Sequence, residues 1–308
     1  MNSKKILGAV LLVALIAGAI MIGITSQQKD TTQTKKVTIT ASYYPLYDFA
    51  RNVGGDKVSV TNITPAGSEP HDYEPTPKQL ITADQSTMFI YNGANMEQWV
   101  NKFLPDYKNT IVKASTDIPL REGTSEGGAA IVGIKDPHFW LDPVLAQQIV
   151  RNILAGLIKA DPTDKDYFTA NATAYIAKLV ALDTAYKTGL GTCVQHTIIT
   201  SHAAFAYLGA RYNLSVLPIA GMSPDQEPSA TELANLSNLV KQNNIKYVFF
   251  ESLASPKLAD TIAAETGAKT IVFDPIEGLK ESDQQQGKNY LSVQEQNLTN
   301  LRTALECS

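Results

Sequence analysis

The chain has 308 residues, of which 44% are apolar and 18% are charged, and its formal net charge is −4. This composition is that of a globular protein, and the length suits one large domain or two of ordinary size. Nucleic-acid binding is not expected, because a nucleic-acid footprint requires a basic patch.

The first 26 residues differ in character from the rest of the chain. Lys4 and Lys5 precede an uncharged apolar run of 19 residues, Ile6 to Ile24. A spanning helix needs about 17–25 residues and a signal-peptide core about 7–15, which favours an uncleaved anchor over a cleaved signal. In both cases the rest of the chain is exported across the membrane. We expect a protein anchored on the outer face of the cytoplasmic membrane, or a periplasmic or extracellular one if the segment is cleaved.

A polar stretch over residues 27–36 predicts a tether, since it contains nothing to pack. Export places the two cysteines, Cys193 and Cys307, in an oxidising environment. Their even number then favours a disulfide over two free thiols. Such a bridge would close a loop of roughly 110 residues and contribute about 4–5 kcal/mol in the chain-entropy model.

From residue 37 onward, short β-branched segments alternate with helical ones. The strands are predicted at Val37–Ala41, Val58–Ile63, Met88–Tyr91, Thr110–Lys113, Thr197–Thr200, Val216–Ile219, Tyr247–Glu251 and Thr270–Phe273. Short, mostly apolar strands are typical of parallel sheets that helices cover on both faces. The Gly-rich residues 121–135 predict an exposed loop without regular structure.

Helices are predicted between these strands. They lie near Leu46–Val53, Pro77–Ala83, Met96–Leu104, Val144–Ala160, Asp164–Thr188, Ala203–Tyr212, Ser229–Asn243, Pro256–Thr266 and Ser292–Leu305. The helix after Asp164 would be about 37 Å long, enough to cross a whole domain. We therefore predict an α/β fold of two lobes, each with a four-stranded parallel sheet. The N-terminal lobe covers residues 37–162, the linking helix 163–190 and the C-terminal lobe 191–308.

Three of the four histidines fall in loops that face the predicted cleft between the lobes. His71 and His138 lie in Pro-rich loops, and His202 and Asp274 each follow a predicted strand directly. Ligand sites of parallel sheets lie beyond the carboxyl ends of the strands, where these residues converge. His196 precedes its strand and is excluded. A single loop histidine is more often an ordinary surface residue, so the prediction depends on convergence.

Three imidazoles and one carboxylate indicate a metal site. This set suits Zn²⁺ in a roughly tetrahedral shell, whereas Mg²⁺ and Ca²⁺ prefer oxygen ligands. A fourth protein ligand would leave no position for a reacting water, and the chain lacks the His-Glu-x-x-His and Gly-x-Ser-x-Gly motifs. We therefore expect a metal-binding protein and not an enzyme, with a metal-dependent hydrolase as the weaker alternative.

Each candidate ligand lies within a longer motif. The motifs are Glu-Pro-His-Asp-Tyr-Glu-Pro-Thr-Pro around His71, Asp-Pro-His-Phe-Trp-Leu-Asp-Pro around His138, Ser-His-Ala-Ala-Phe-Ala-Tyr-Leu around His202 and Phe-Asp-Pro-Ile-Glu-Gly-Leu around Asp274. In this order they resemble the motifs of the zinc/manganese class of ABC-transporter solute-binding proteins. The resemblance covers residues 37–305.

The resemblance implies a function and a set of roles. It implies two lobes joined by one rigid helix, metal capture between them, and delivery to a membrane permease driven by a cytoplasmic ATPase. His71, His138, His202 and Asp274 would be the ligands. Zinc proteins of this class tend to carry His at the third position and manganese proteins Glu, so His202 indicates zinc, with manganese as the alternative. A surface adhesin is a further alternative, and we expect a monomer.

The chain differs from many members of this class at two places, and one further residue has a candidate role. Ala203 stands where the class often has Asp, and residues 121–135 lack the histidines of many zinc members. Glu251, at the end of its strand, is a candidate acceptor that orients an imidazole, with helix capping as the alternative role. Because histidine ligands bind metal in the neutral form, we expect affinity to fall as the pH drops through about 6.5.

Overall fold

The structure is a computed structural model that describes residues 36–308. The predicted signal or anchor over residues 1–26 and all but the last residue of the tether lie outside the described residues. Among the helices of the described part, none combines the length and the apolar character needed to cross a membrane.

Two four-stranded parallel sheets form the centres of two lobes. The first sheet has the order β2-β1-β3-β4, and the second has the order β10-β9-β7-β8. In chain order the strands are β1 (Val37–Ala41), β2 (Val58–Asn62), β3 (Met88–Tyr91), β4 (Thr110–Lys113), the antiparallel hairpin strands β5 (Glu122–Thr124) and β6 (Ala130–Lys135), β7 (Thr197–Thr200), β8 (Ser215–Pro218), β9 (Tyr247–Phe250) and β10 (Lys269–Val272). The predicted architecture is confirmed.

Helices flank both sheets. Those of the first lobe are α1 (Tyr44–Gly54), α2 (Pro77–Asp84), α3 (Val100–Phe103) and α4 (Pro143–Ala160), and α5 (Lys165–Leu190) runs on to the second lobe. The second lobe has α6 (Ala206–Tyr212), α7 (Ala230–Gln242), α8 (Lys257–Thr266), α9 (Glu281–Gln285) and α10 (Tyr290–Ala304). Several begin at a capping residue: the Asp142 carboxylate accepts a hydrogen bond from the Val144 N–H at 2.8 Å, and the Ser229 hydroxyl accepts one from the Glu232 N–H at 3.1 Å.

Two segments differ from their predictions. The helix predicted at Met96–Leu104 is reduced to α3, because the buried Glu97 carboxylate accepts the N–H of Asn92 at 2.7 Å and of Gly93 at 3.2 Å. Those bonds hold residues 92–97 in a non-helical turn. The loop predicted at residues 121–135 is the β5–β6 hairpin.

The linking helix α5 belongs to the cores of both lobes. Its 26 residues span about 39 Å. Tyr175 in its first half donates a hydrogen bond to the Asp48 carboxylate of α1 at 3.2 Å. Tyr186 in its second half donates one to the Gln294 side chain of α10 at 2.7 Å. Because one buried apolar cluster continues from the first lobe into the second, the lobes are packed against each other and not only tethered.

Aromatic contacts across the lobes strengthen this packing. The rings of Phe49 in α1 and Tyr290 in α10 meet edge to face at 4.7 Å between centroids. The Trp140 indole N–H donates to the Pro275 carbonyl at 2.8 Å, and the Tyr290 hydroxyl donates to the Trp140 carbonyl at 2.5 Å. We expect buried pairs of this kind to limit the relative motion of the lobes.

A disulfide joins Cys193, just after α5, to Cys307, just after α10. Next to it, the N–H groups of Val194 and Gln195 both donate to the Leu305 carbonyl at 3.1 Å. These bonds join the first and last residues of the second lobe near the N-terminal end of β7.

Asp48 makes the stability of the fold depend on pH. Burial raises the pKa of Asp48 to about 6, whereas an aspartate in an unfolded chain has a pKa of about 3.9. The folded state therefore holds this proton more tightly, and the ionised carboxylate destabilises the fold above pH 6. The destabilisation by the ionised Asp48 carboxylate disappears as the pH falls from about 6 towards 4.

We expect Asp48→Asn to raise the free energy of unfolding by about 1–3 kcal/mol at pH 7.5, because the amide keeps an oxygen for the Tyr175 hydroxyl and carries no charge. Most of this gain should vanish at pH 4.5, where the wild-type carboxyl group is protonated in the fold. Urea unfolding at both pH values measures the difference. A gain of equal size at pH 4.5 and pH 7.5 would contradict the prediction.

Candidate metal centre

Four loops at the carboxyl ends of the strands meet between the lobes. The first lobe contributes His71, from the loop between β2 and α2, and His138, from the turn between β6 and α4. The second lobe contributes His202, directly after β7, and Glu277, after β10. Their ligand atoms form one group within 4.8 Å of one another. His138 and His202 are fully buried, and His71 is nearly so.

The distances within this group are short and uniform. The Nε2 atom of His138 lies 3.1 Å from Nε2 of His71 and 3.3 Å from Nε2 of His202. The Glu277 Oε1 atom lies 3.2 Å from each of the three Nε2 atoms. Four ligand atoms about 2.0–2.1 Å from a tetrahedral zinc ion would lie about 3.3 Å from one another. The group thus has the spacing and the donor types of a zinc shell.

The carboxylate in this group is Glu277, whereas we expected Asp274. One Asp274 oxygen accepts a hydrogen bond from the Ser252 hydroxyl, and the other accepts one from the Ile276 N–H at 2.7 Å. Asp274 therefore holds the turn that presents Glu277 and is not part of the four-residue group.

Backbone conformation explains why Glu277, and not Asp274, joins the group. Ile276 has a φ of 57°, a left-handed conformation that a β-branched residue rarely adopts. The Trp140 indole bond to the Pro275 carbonyl stabilises the same turn. Glu277 stands in the motif around Asp274, but no local signal in the sequence indicates that the chain reverses at Ile276.

Two carboxylates lie within hydrogen-bond distance of the Nδ1 atoms of His138 and His202. Glu251 Oε1 lies 2.6 Å from Nδ1 of His202, where we expected an orienting acceptor. Asp136 Oδ1 lies 2.8 Å from Nδ1 of His138 and also accepts the His138 N–H at 2.9 Å. In a neutral imidazole each contact makes Nδ1 the donor and leaves the lone pair of Nε2 facing the centre of the group. Asp136 was missed, although a carboxylate two residues before a ligand histidine was a usable signal.

The charges in the group favour a cation. Burial alone would raise the pKa of Glu277, but the charge of His202 and hydrogen bonds from all three imidazoles lower it well below its usual value. Burial would likewise lower the pKa of His202, but Glu251 and Glu277 raise it well above its usual value. Burial and the Glu277 charge raise the pKa of Glu69, next to the group, to about 9. The pocket thus keeps Glu277 ionised and holds a proton on His202, which a metal ion would have to displace in order to bind.

The chain is similar to proteins of zinc uptake. The chain is 41% identical over 292 residues to "High-affinity zinc uptake system protein ZnuA" of Bacillus subtilis, which covers 91% of this chain and 92% of that protein. It is 40% identical over 302 residues to "Zinc-binding lipoprotein AdcA" of Streptococcus pneumoniae, which covers 95% of this chain but only 60% of that longer protein.

A solved structure shows the same fold. The Zn(II)-bound ZnuA-like domain of Streptococcus pneumoniae AdcA superposes with a TM-score of 0.77 at 42% identity, covering 88% of this chain and 99% of that one. Residues 39–304 match the family model described as "Zinc-uptake complex component A periplasmic", and the chain therefore belongs to this family.

Proposed function

We propose that this protein is an exported receptor that captures Zn²⁺ between its two lobes and delivers it to an ABC-type import permease with a cytoplasmic ATPase. The observation that carries the proposal is the meeting of His71, His138, His202 and Glu277 within 4.8 Å. The names of the zinc-uptake relatives support the cargo and the transport system.

In this proposal the four residues are the metal ligands. Three imidazole nitrogens and one carboxylate oxygen fill a tetrahedral shell and leave no position for a reacting water, which favours binding over hydrolysis. Glu251 and Asp136 keep Nε2 of His202 and His138 free for the metal.

Capture and release follow from the placement of the ligands on both lobes. A metal held by two ligands from each lobe stabilises the closed arrangement by its differential affinity. Because the lobes also share a continuous core, we expect a small tilt and not a wide hinge motion. The permease would then release the metal by binding the tilted form more tightly than the closed form.

Metal content tests the identity of the cargo. We expect the purified protein to retain zinc in preference to manganese from an equimolar mixture, and His202→Glu to shift retention towards manganese, because a carboxylate replaces a borderline nitrogen ligand with a harder oxygen. Elemental analysis after desalting, with competitive titration, measures both. His196→Glu is the matched control, since His196 is exposed and outside the group. Equal retention of both metals by wild type and His202→Glu would refute the assignment to zinc.

The orienting role of Glu251 has its own test. Glu251→Gln keeps an oxygen for Nδ1 of His202 but removes the negative charge that makes the imidazole a better donor. We expect the zinc dissociation constant to rise about tenfold, measured by competition with a chelator of known affinity. Glu265→Gln, which changes a carboxylate bound to the Ser237 hydroxyl, should leave it unchanged. If both variants bind zinc as the wild type does, Glu251 does not act on His202.

A further inference from the structure

The β5–β6 hairpin precedes the His138 turn in the first lobe but packs on the second lobe. The Thr124 N–H lies 3.2 Å from the sulfur of Met222. At the tip, Gly127 has a φ of +71°, and a Cβ there would lie 2.2 Å from the Glu232 carboxylate in α7. The left-handed backbone at Gly127 favours glycine, and without a side chain there the Glu232 carboxylate can lie against the tip. The hairpin therefore spans from the His138 turn to the surface of the second lobe.

A buried tyrosine of the second lobe holds the base of this hairpin. The Tyr207 hydroxyl accepts a hydrogen bond from the Arg121 N–H at 2.8 Å and donates one to the Asp136 carbonyl at 2.9 Å. The Asp136 N–H in turn donates to the Arg121 carbonyl at 3.0 Å, which closes the base. Tyr207 is only 3% exposed.

The same residues continue to the candidate metal centre. The Asp136 carbonyl accepts the Tyr207 hydrogen bond. The Asp136 carboxylate accepts the His138 backbone N–H and lies within hydrogen-bond distance of His138 Nδ1. Tyr207 lies at the start of α6, five residues after His202. Helix α6 thus follows His202 of the second lobe and, through Tyr207, contacts Asp136 of the first lobe. The Asp136 carboxylate in turn contacts the ring of His138.

We propose that Tyr207 is a positioning residue: its hydroxyl fixes Asp136, and through Asp136 the ring of His138, relative to the second lobe, and thereby slows the loss of the bound metal. This inference rests on the proposed zinc site. The hydrogen bonds of Tyr207 must break before the lobes can separate and His138 can leave the metal. Metal binding to the open form does not depend on these bonds. The hydroxyl should therefore affect dissociation more than association.

A second tyrosine on the same helix provides a matched control. Tyr212 is also buried, and its hydroxyl donates to the Asp183 carboxylate of α5 at 3.1 Å, away from the hairpin. Tyr207→Phe and Tyr212→Phe each remove one oxygen. We expect zinc to dissociate about five- to tenfold faster from Tyr207→Phe, with association within twofold of wild type, and both rates of Tyr212→Phe within twofold. Stopped-flow mixing of the zinc-loaded protein with excess fluorescent chelator measures dissociation.

A double substitution tests whether Tyr207 acts through Asp136. Asp136→Ala removes the carboxylate that Tyr207 positions, so adding Tyr207→Phe to it should change the dissociation rate less than twofold. Independent, multiplying effects would overturn the proposal, as would equal dissociation from Tyr207→Phe and Tyr212→Phe in proteins that retain zinc. If the wild type itself retains no zinc, the proposed function fails, and this inference fails with it.

Discussion

Replacing His138 by alanine is expected to weaken zinc binding about a hundredfold. Structural zinc sites with four ligands bind with about 10–16 kcal/mol, so one ligand accounts for about 3 kcal/mol on average, and each 1.4 kcal/mol is a factor of ten in affinity. His138 lies close to every other member of the group, because its Nε2 is within 3.3 Å of Nε2 of His71, Nε2 of His202 and Oε1 of Glu277. Competition with a chelator of known affinity measures the loss.

Two further variants make this result interpretable. His138 is fully buried, so thermal unfolding of the metal-free variant must show that it folds. His71→Ala, in a loop and slightly exposed, carries less risk to the fold and should weaken zinc binding by a similar factor. His196→Ala changes the exposed fourth histidine and should leave the affinity within twofold of wild type. Undiminished zinc binding by folded His138→Ala and His71→Ala would refute the proposed ligand set.

Much of the fold could be predicted because its elements have strong local signals. Strands that are apolar throughout indicate parallel sheets covered by helices, and proline and capping residues indicate where helices such as α2 and α4 begin. The segments that were not predicted depend on tertiary contacts. α3 is short because the Glu97 carboxylate binds the backbone of residues 92 and 93, and the β5–β6 hairpin lies on Met222 of the other lobe.

In the candidate metal centre, too, some residues could be predicted from the sequence and one depends on tertiary contacts. The positions of His71, His138 and His202 could be inferred from chain topology alone, because each lies beyond the carboxyl end of a parallel strand or in a Pro-bounded turn. The choice between Asp274 and Glu277 could not be made in this way. It depends on the left-handed conformation of Ile276, which hydrogen bonds from the Ile276 N–H and the Trp140 indole stabilise.

The disulfide between Cys193 and Cys307 is expected to contribute more to stability than any single side chain of the second lobe. The two cysteines are separated by 114 residues and enclose almost the whole lobe. In the chain-entropy model, a cross-link of this span stabilises the fold by about 4–5 kcal/mol, because it removes conformations from the unfolded chain. We therefore expect the Cys193→Ser/Cys307→Ser double variant to lose about this much free energy of unfolding.

Urea unfolding of the oxidised wild type, the reduced wild type and the double variant measures the disulfide contribution. Reduced wild type and double variant should agree, and both should show a steeper dependence on urea, because the uncross-linked chain exposes more surface when it unfolds. Zinc stoichiometry should not change, since the bridge lies near the N-terminal end of β7 and His202 follows the C-terminal end of that strand. A stability loss below about 1 kcal/mol would show that native contacts, such as those of Val194 and Gln195 with Leu305, and not the cross-link, hold the ends of this lobe together.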